Sequence, residues 1–524
     1  MRQARFLVAF VLLLILVGLS ACQRGAPEAA TSTPELSTQT SDPTGRPASP
    51  TVTVSALSHT PQPDRLVNVE PEALRGTIIH FWHPWTGEAG QVIRSLVEEF
   101  NLNNPWEIVV VPVAQAGLDG IEAQVAIGLQ SGRTPDLVVG YLHQLLTWDQ
   151  KQPLVDLQPY VQDPLWGYSQ EEQADFTPVL WQQDLIAGRR LGAPIQRSAQ
   201  VLYYNATWAQ ALGFSAPPTT PEQFRQQVCE AAWANRTDGL VLSTGGWIIS
   251  TNYATALSWI YTFGGEVTRS ADAGEDIYRF NTPEVDEAFA FLRDLYDTHC
   301  AWLSEDPYPE AEFARRLGLI STGSVMDIPY QALAFERAGS RDQWVVIPYP
   351  SNAQHALNVY GASLAIFPSS PEEQLAAWQL LRWLLEPRNH ARFVQASGSY
   401  PIRASELEYL EDYRKRYPPW GQALELIPAA RPEPPLASWG RVRWALEDAF
   451  TQLFRSYFSI DQIPTMLSYL DRTANDLHLG PEKSGIYDTS TPTPLLERTR
   501  TPPVSATPTP TATPHPSPGA PTAP

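Results

Sequence analysis

Apolar positions between residues 77 and 139 follow two alternating periods. Residues 77–82 (TIIHFW) form a nearly unbroken apolar run of strand length, and a glycine-containing turn follows. Val92, Ile93, Leu96, Val97 and Phe100 then recur at helical spacing until Asn103, Asn104 and Pro105 interrupt it. A second run, 107–113 (EIVVVPV), precedes Ile121, Val125 and Leu129, again at helical spacing, with Gly132 past their end. A third run, 136–139 (DLVV), completes a β-α-β-α-β series. Continuous apolar strands between amphipathic helices predict a parallel sheet covered on both faces, an α/β fold.

Open sheets of this kind bind ligands beyond the carboxyl ends of their strands. That rule selects the loops 83–88 (HPWTGE), 114–120 (AQAGLDG) and 140–143 (GYLH), and with them Trp82, His83, Trp85, Asp119 and Tyr141 as candidate contacts. Neither a G-x-G-x-x-G nor a G-x-x-x-x-G-K-[ST] pattern occupies them, which disfavours nucleotide phosphates.

The ends of the chain have a different character. Of 49 prolines in 524 residues, eight fall within 27–71 and eleven within 492–524. Residues 22–75 and 481–524 are rich in Pro and Thr without apolar periodicity, and are expected to be disordered. Residues 6–19 are an unbroken apolar run behind Arg2 and Arg5, the pattern of a signal peptide and too short for a comfortable membrane span. The run ends in Leu19-Ser20-Ala21-Cys22, which resembles the lipobox of bacterial lipoproteins. The resemblance implies cleavage of 1–21 and a lipidated Cys22 as the only membrane anchor. Cys229 and Cys300 remain, in an oxidising compartment, as a disulfide or as two buried thiols. The net charge of −20 argues against nucleic acid and against a basic membrane-binding patch.

The stretch Gly192-Ala193-Pro194-Ile195-Gln196-Arg197-Ser198-Ala199-Gln200-Val201-Leu202-Tyr203-Tyr204-Asn205, followed by Leu212-Gly213 and Pro217-Pro218-Thr219, resembles the crossover segment of family 1 extracellular solute-binding proteins of ABC importers. These are the maltose- and glycerol-3-phosphate-binding type. Gly323-Ser324-Val325-Met326-Asp327, Tyr360-Gly361-Ala362-Ser363-Leu364 and the stretch 376–393 are similar to further segments of that family. The chain departs from it at Thr220-Pro221, where many members carry a Trp. The resemblance implies a two-lobed periplasmic-binding-protein-like fold of type II, its lobes joined by hinge strands. Lobe 1 is expected over 76–196 and 345–367, and lobe 2 over 197–344 and 368–480. It further implies hinge closure over a carbohydrate or related polyol, with Ser198, Trp247, Gly361 and Arg403 near the solute. The implied partners are the small solute and ABC permease subunits, and the implied location is the outer face of the cytoplasmic membrane, or facing the periplasm. The expected receptor is a monomer without cofactor or catalysis.

Sugars present hydroxyls around flat C–H faces, so their sites combine aromatic platforms with a few polar groups. Tyr330 and Tyr360, just past candidate strands, join the candidates on that ground. Trp82, Trp85 and Trp247 could equally be core, Asp119 a helix cap, and Arg403 a surface charge. His80 and His83 lie three apart on a strand and point to opposite faces, so no metal site is expected. A sensory or adhesion lipoprotein without a permease is the alternative. An exported glycoside hydrolase is a further one, although no G-x-S-x-G elbow is present.

Overall fold

The computed structural model describes residues 65–237, 244–270 and 276–480. The expected signal peptide, Cys22, most of the linker and the tail from 481 lie outside them. Residues 65–75 belong to the folded body and not to the linker. The backbone N–H groups of Leu66 and Val67 donate to Asp163 at 2.9 and 2.8 Å, and Val67, Val69 and Leu74 are buried.

The first sheet runs in the order Val109–Ala114, Ile78–His83, Leu137–Tyr141, Ala362–Ile366, Ala193–Pro194. Its first three strands are parallel, as the periodicity predicts, and the last two are antiparallel to their neighbours. The strand predicted from residue 107 starts two residues later because Glu107 has left-handed backbone, φ 56°. The helix Gly87–Asn103 buries Ile93, Leu96, Val97 and Phe100. It stops where the Asn104 side chain bonds both Phe100 O and Ile108 O at 2.9 Å. The helix Gly117–Ser131 ends on Gly132 at φ 69°.

The second sheet is ordered Ala301–Leu303, Gly245–Ile249, Gly318–Ser324, Ser198–Asn205, Leu357–Tyr360, Ala430–Pro432, and Trp344–Ile347 also pairs with Ser198–Asn205. All eight residues of Ser198–Asn205 are buried, since this strand has neighbours on both edges and helices across its faces. The disulfide Cys229–Cys300 fastens the helix Pro221–Thr237 to the residue before Ala301–Leu303, with Cα atoms 4.4 Å apart.

Buried side chains form two clusters, one per sheet. The chain passes between them at 195–197, returns at Gly361, and leaves again around Tyr400–Ile402. These crossings move the expected lobe bounds. Residues 345–360 belong to the second lobe, because Val345–Ile347 and Val359–Tyr360 hydrogen-bond to the strand Ser198–Asn205. The helix Pro371–Leu384 belongs to the first lobe, because Leu375, Trp378 and Leu381 enter its core. No helix among the described residues is long and apolar enough to cross a membrane.

Candidate functional site

Three crossings converge on one buried knot. Ile195 N and Gln196 N both donate to Ala362 O, at 3.2 and 3.1 Å. Gly361 has φ 151°, and a Cβ there would lie 1.9 Å from Gln196 O, so only glycine lets the two crossovers touch. Beneath them Arg197 Nη2 donates to Asp184 at 2.7 Å and to Ser363 Oγ at 2.9 Å, and Arg197 Nη1 donates to Ala362 O at 2.9 Å. Ser363 Oγ donates to Asp184 at 2.8 Å. Arg197, Asp184 and Ser363 are almost wholly enclosed, so each needs the others to offset its desolvation.

The floor above this knot is polar. Ser198 Oγ lies 2.7 Å from Ser324 Oγ, and Tyr360 Oη lies 3.2 Å from Ser324 Oγ and 3.3 Å from Gln200 Oε1. From the first lobe, Tyr141 ends its strand and begins the helix Leu142–Lys151, its N–H donating to Gln144 at 2.9 Å. From the second lobe, the helix Trp439–Leu453 brings Arg443 over it. The guanidinium carbon stands 5.2 Å from the Tyr141 ring, 5.3 Å from Tyr253 and 4.9 Å from Trp444. Burial raises the Tyr141 phenol above its ordinary value, with Arg443 acting against that and Glu433 and Asp119 adding to it.

Arg443 Nε and Glu433 Oε1 are among the buried atoms here that have no hydrogen-bond partner among the described residues. Burial holds the Glu433 carboxyl above the usual carboxylate range, chiefly against the pull of Arg443. Unsatisfied buried donors and acceptors are costly, so a pair of them between two lobes reads as prepared for a ligand. The lobes already touch beside them: a Cβ on Gly440 would lie 2.7 Å from the His143 ring. Neutral imidazole fits that contact, since burial and Arg443 depress His143 to about 3.

The expected contacts sort into three groups. Tyr141, Ser198, Tyr360 and Gly361 share this interlobe region, and Asp119 stands exposed in the first turn of its helix, near enough to act on Tyr141. Trp85 instead ties the first lobe to a crossover. Its Nε1 donates to Gln196 at 3.2 Å, its edge meets Phe393 at 4.8 Å, and His83 stacks on it at 5.8 Å. Burial and then Arg94 depress His83 to about 4, so it too is neutral there. Trp82 is half-buried against the first core.

Two expectations are corrected. Trp247 is a core residue with no exposure, its Nε1 donating to Thr322 at 2.9 Å and its ring packed on Phe224 and Trp259. Arg403 is buried in the first lobe, donating to Asp175 at 2.8 Å and lying 4.8 Å over Phe176, so neither meets a solute. Tyr330 lies outside the interlobe set, exposed on the helix Ile328–Arg337. Arg443 and Glu433 were missed by sequence reasoning. The signal for Arg443 was present: Trp439, Arg443, Leu446 and Phe450 repeat at helical spacing and set a guanidinium on a buried face. No group of three or more His, Cys, Asp or Glu that could hold a metal occurs among the described residues.

A two-lobed α/β fold with a polar seam between its lobes defines a solute receptor of the periplasmic-binding class. The family of bacterial extracellular solute-binding proteins matches residues 95–419, more than half of the chain, and the chain belongs to it. The chain is 23% identical over 350 residues to the sn-glycerol-3-phosphate-binding periplasmic protein UgpB of Salmonella typhimurium, covering 64% of this chain and 77% of that one. Among solved structures, the sugar-binding protein MalE of Xanthomonas citri superposes with a TM-score of 0.65 at 20% identity, over 77% of this chain and 98% of that one. UgpB of Mycobacterium tuberculosis in complex with glycerophosphocholine gives 0.61 at 20% identity, over 77% and 100%. At these identities the superpositions establish the shared fold.

Proposed function

We propose that this exported protein is the solute receptor of an ABC importer, capturing a carbohydrate or related polyol between its lobes and releasing it to the permease. The observation that carries this reading is the interlobe pair of Arg443 and Glu433, each with an unpartnered buried atom, framed by Tyr141, Tyr253 and Trp444. A hydroxyl pair donates to a carboxylate and accepts from a guanidinium, while aromatic faces take the C–H surface of a ring. Relatives named for sugar and for sn-glycerol 3-phosphate support the same solute range. Solute that touches both lobes stabilises only the closed arrangement, so binding shifts the population toward it. A phosphorylated polyol is a second reading, favoured by the unpartnered Nε of Arg443.

No covalent step is needed for this role, and no glycoside turnover is expected. Lipidation of Cys22 would keep the monomeric receptor beside its permease. Metabolic labelling with a fatty acid that is lost in Cys22→Ser checks the anchor.

The test of the function is calorimetric titration with mono- and oligosaccharides, polyols and sn-glycerol 3-phosphate, alongside solution scattering. One class is expected to bind with compaction, and Arg443→Ala is expected to weaken it by about tenfold or more, the scale of a lost charged hydrogen bond. Binding without compaction, or unchanged in Arg443→Ala, would sink the mechanism. Tight binding and closure in a cell lacking any matching permease would favour the sensory alternative.

A further inference from the structure

We propose that His390 is a positioning residue of the hinge: as an imidazolium it ties the first crossing of the chain to the third, and losing one proton as pH rises frees the crossings to move. This rests on the closure between lobes proposed above and names a group that governs it.

His390 and Glu406 are both fully enclosed. His390 sits on the helix Pro387–Ser397, whose Phe393 enters the first core and whose Ala391 and Val394 enter the second. Its Nε2 lies 2.8 Å from Ile195 O at the first crossing, and its Nδ1 lies 2.7 Å from Glu406 Oε2. The other oxygen of Glu406 accepts from Ile402 N and Arg403 N, at 3.2 and 2.9 Å, where the third crossing ends. Ile195 N in turn donates to Ala362 O, beside the second crossing at Gly361. One imidazole therefore stands at the junction of all three.

A backbone carbonyl only accepts, so Nε2 must donate. A carboxylate whose other oxygen already takes two N–H groups is ionised, so Nδ1 donates too. Neutral imidazole has one N–H and would leave a lone pair facing one of these acceptors, out of reach of solvent. Glu406 is the anion that faces the ring. Arg403 acts against the charge but is held by Asp175, and Arg197 of the first crossing is held by Asp184. From the packed helix Gly87–Asn103, Glu99 goes to Arg392 instead. Burial lowers the imidazole, but Glu406 and the Ile195 carbonyl outweigh it and the net direction is upward. The contribution of His390 is therefore complete below its ordinary value near 6.5 and is lost as pH rises through the raised one.

The test uses the full chain without solute. In nitrogen-15 NMR of labelled histidines, the His390 signal, absent from His390→Gln, is expected to show a proton on both nitrogens at pH about 6.5, where an ordinary histidine is half neutral. Hydrogen exchange, corrected for the intrinsic rate, is expected to show protection at Ile195, Gln196, Ile402 and Arg403 falling about tenfold between pH 6 and pH 9, the worth of a lost charged hydrogen bond. Amides of the strand Ser198–Asn205 are expected to hold, and His390→Gln to be weakly protected at the crossings at both pH values. A ring with a single N–H throughout, or equal protection of wild type at both pH values, overturns the proposal. Should His390→Gln fail to fold, the exchange series on wild type still decides. Neither readout needs a solute, so their failure leaves the receptor function standing, and failure of every solute to bind leaves them unmoved.

Discussion

Asp184 shows how much of this receptor hangs on single buried groups. Its carboxylate holds Arg197 and Ser363 where two crossovers meet, and none of the three reaches water. Asp184→Ala leaves a guanidinium enclosed without its counter-charge, which costs about 3–5 kcal/mol. Urea unfolding is expected to show that loss, and a change under about 1 kcal/mol would mean the knot is not a unit.

The two depressed histidines act in the opposite sense from an ion pair. Buried His143, about 3, and His83, about 4, stay neutral in the fold while the unfolded chain binds protons below its ordinary value near 6.5. The unfolded state therefore gains protons first. Stability is complete above pH 6.5 and declines as pH falls toward 4 and then 3. His143→Gln is expected to lose about 1–2 kcal/mol less than wild type between pH 7.5 and 5, read by unfolding at both pH values. An equally steep acid limb would contradict the burial assigned to this ring.

At the scale of elements, the helix Trp439–Leu453 closes the seam because Gly440 leaves room for His143 of the facing helix Leu142–Lys151. Gly440→Ala suits a helix, yet its methyl group meets the ring at 2.7 Å. The expected outcome is an intact fold with a melting temperature equal to or above wild type, and solute affinity reduced by about tenfold as the lobes are held apart. Unchanged affinity would show that this contact is not part of closure.

The disulfide acts on the second lobe alone. Cys229 and Cys300 are 71 positions apart, and closing a loop of that size stabilises by roughly 4 kcal/mol in the chain-entropy account. Reduction is expected to lower the thermal transition of the second lobe while the first, which has its own core, melts near its former temperature. A uniform shift of both would show the lobes unfolding as one unit.

Elements that the sequence revealed are those whose cause is local. The strand–helix rhythm from 78 to 141 follows from side-chain period alone, and Asn104 and Gly132 stop their helices where the residues themselves demand it. The crossover at 192–205 was recognisable because its order of residues is shared across a family. Residues 345–360 and 371–384 lie in the opposite lobe from the one expected, for the complementary reason. An apolar strand or helix declares that it is buried, but not against which of two cores.

Over the whole molecule, the sequence by itself determined the α/β class, the first half of the first sheet and the different character of the two ends. These depend on periodicity and composition, which neighbouring residues carry between them. Only the tertiary structure decided which candidates form a site. It withdrew Trp247 into a core and Arg403 into an ion pair with Asp175, and it set Arg443 and Glu433 opposite Tyr141. A tryptophan in a strand, or an arginine on a helix, reads the same whether it faces a core or a seam. The difference is made by groups far away in the chain, which the fold brings within a few ångströms.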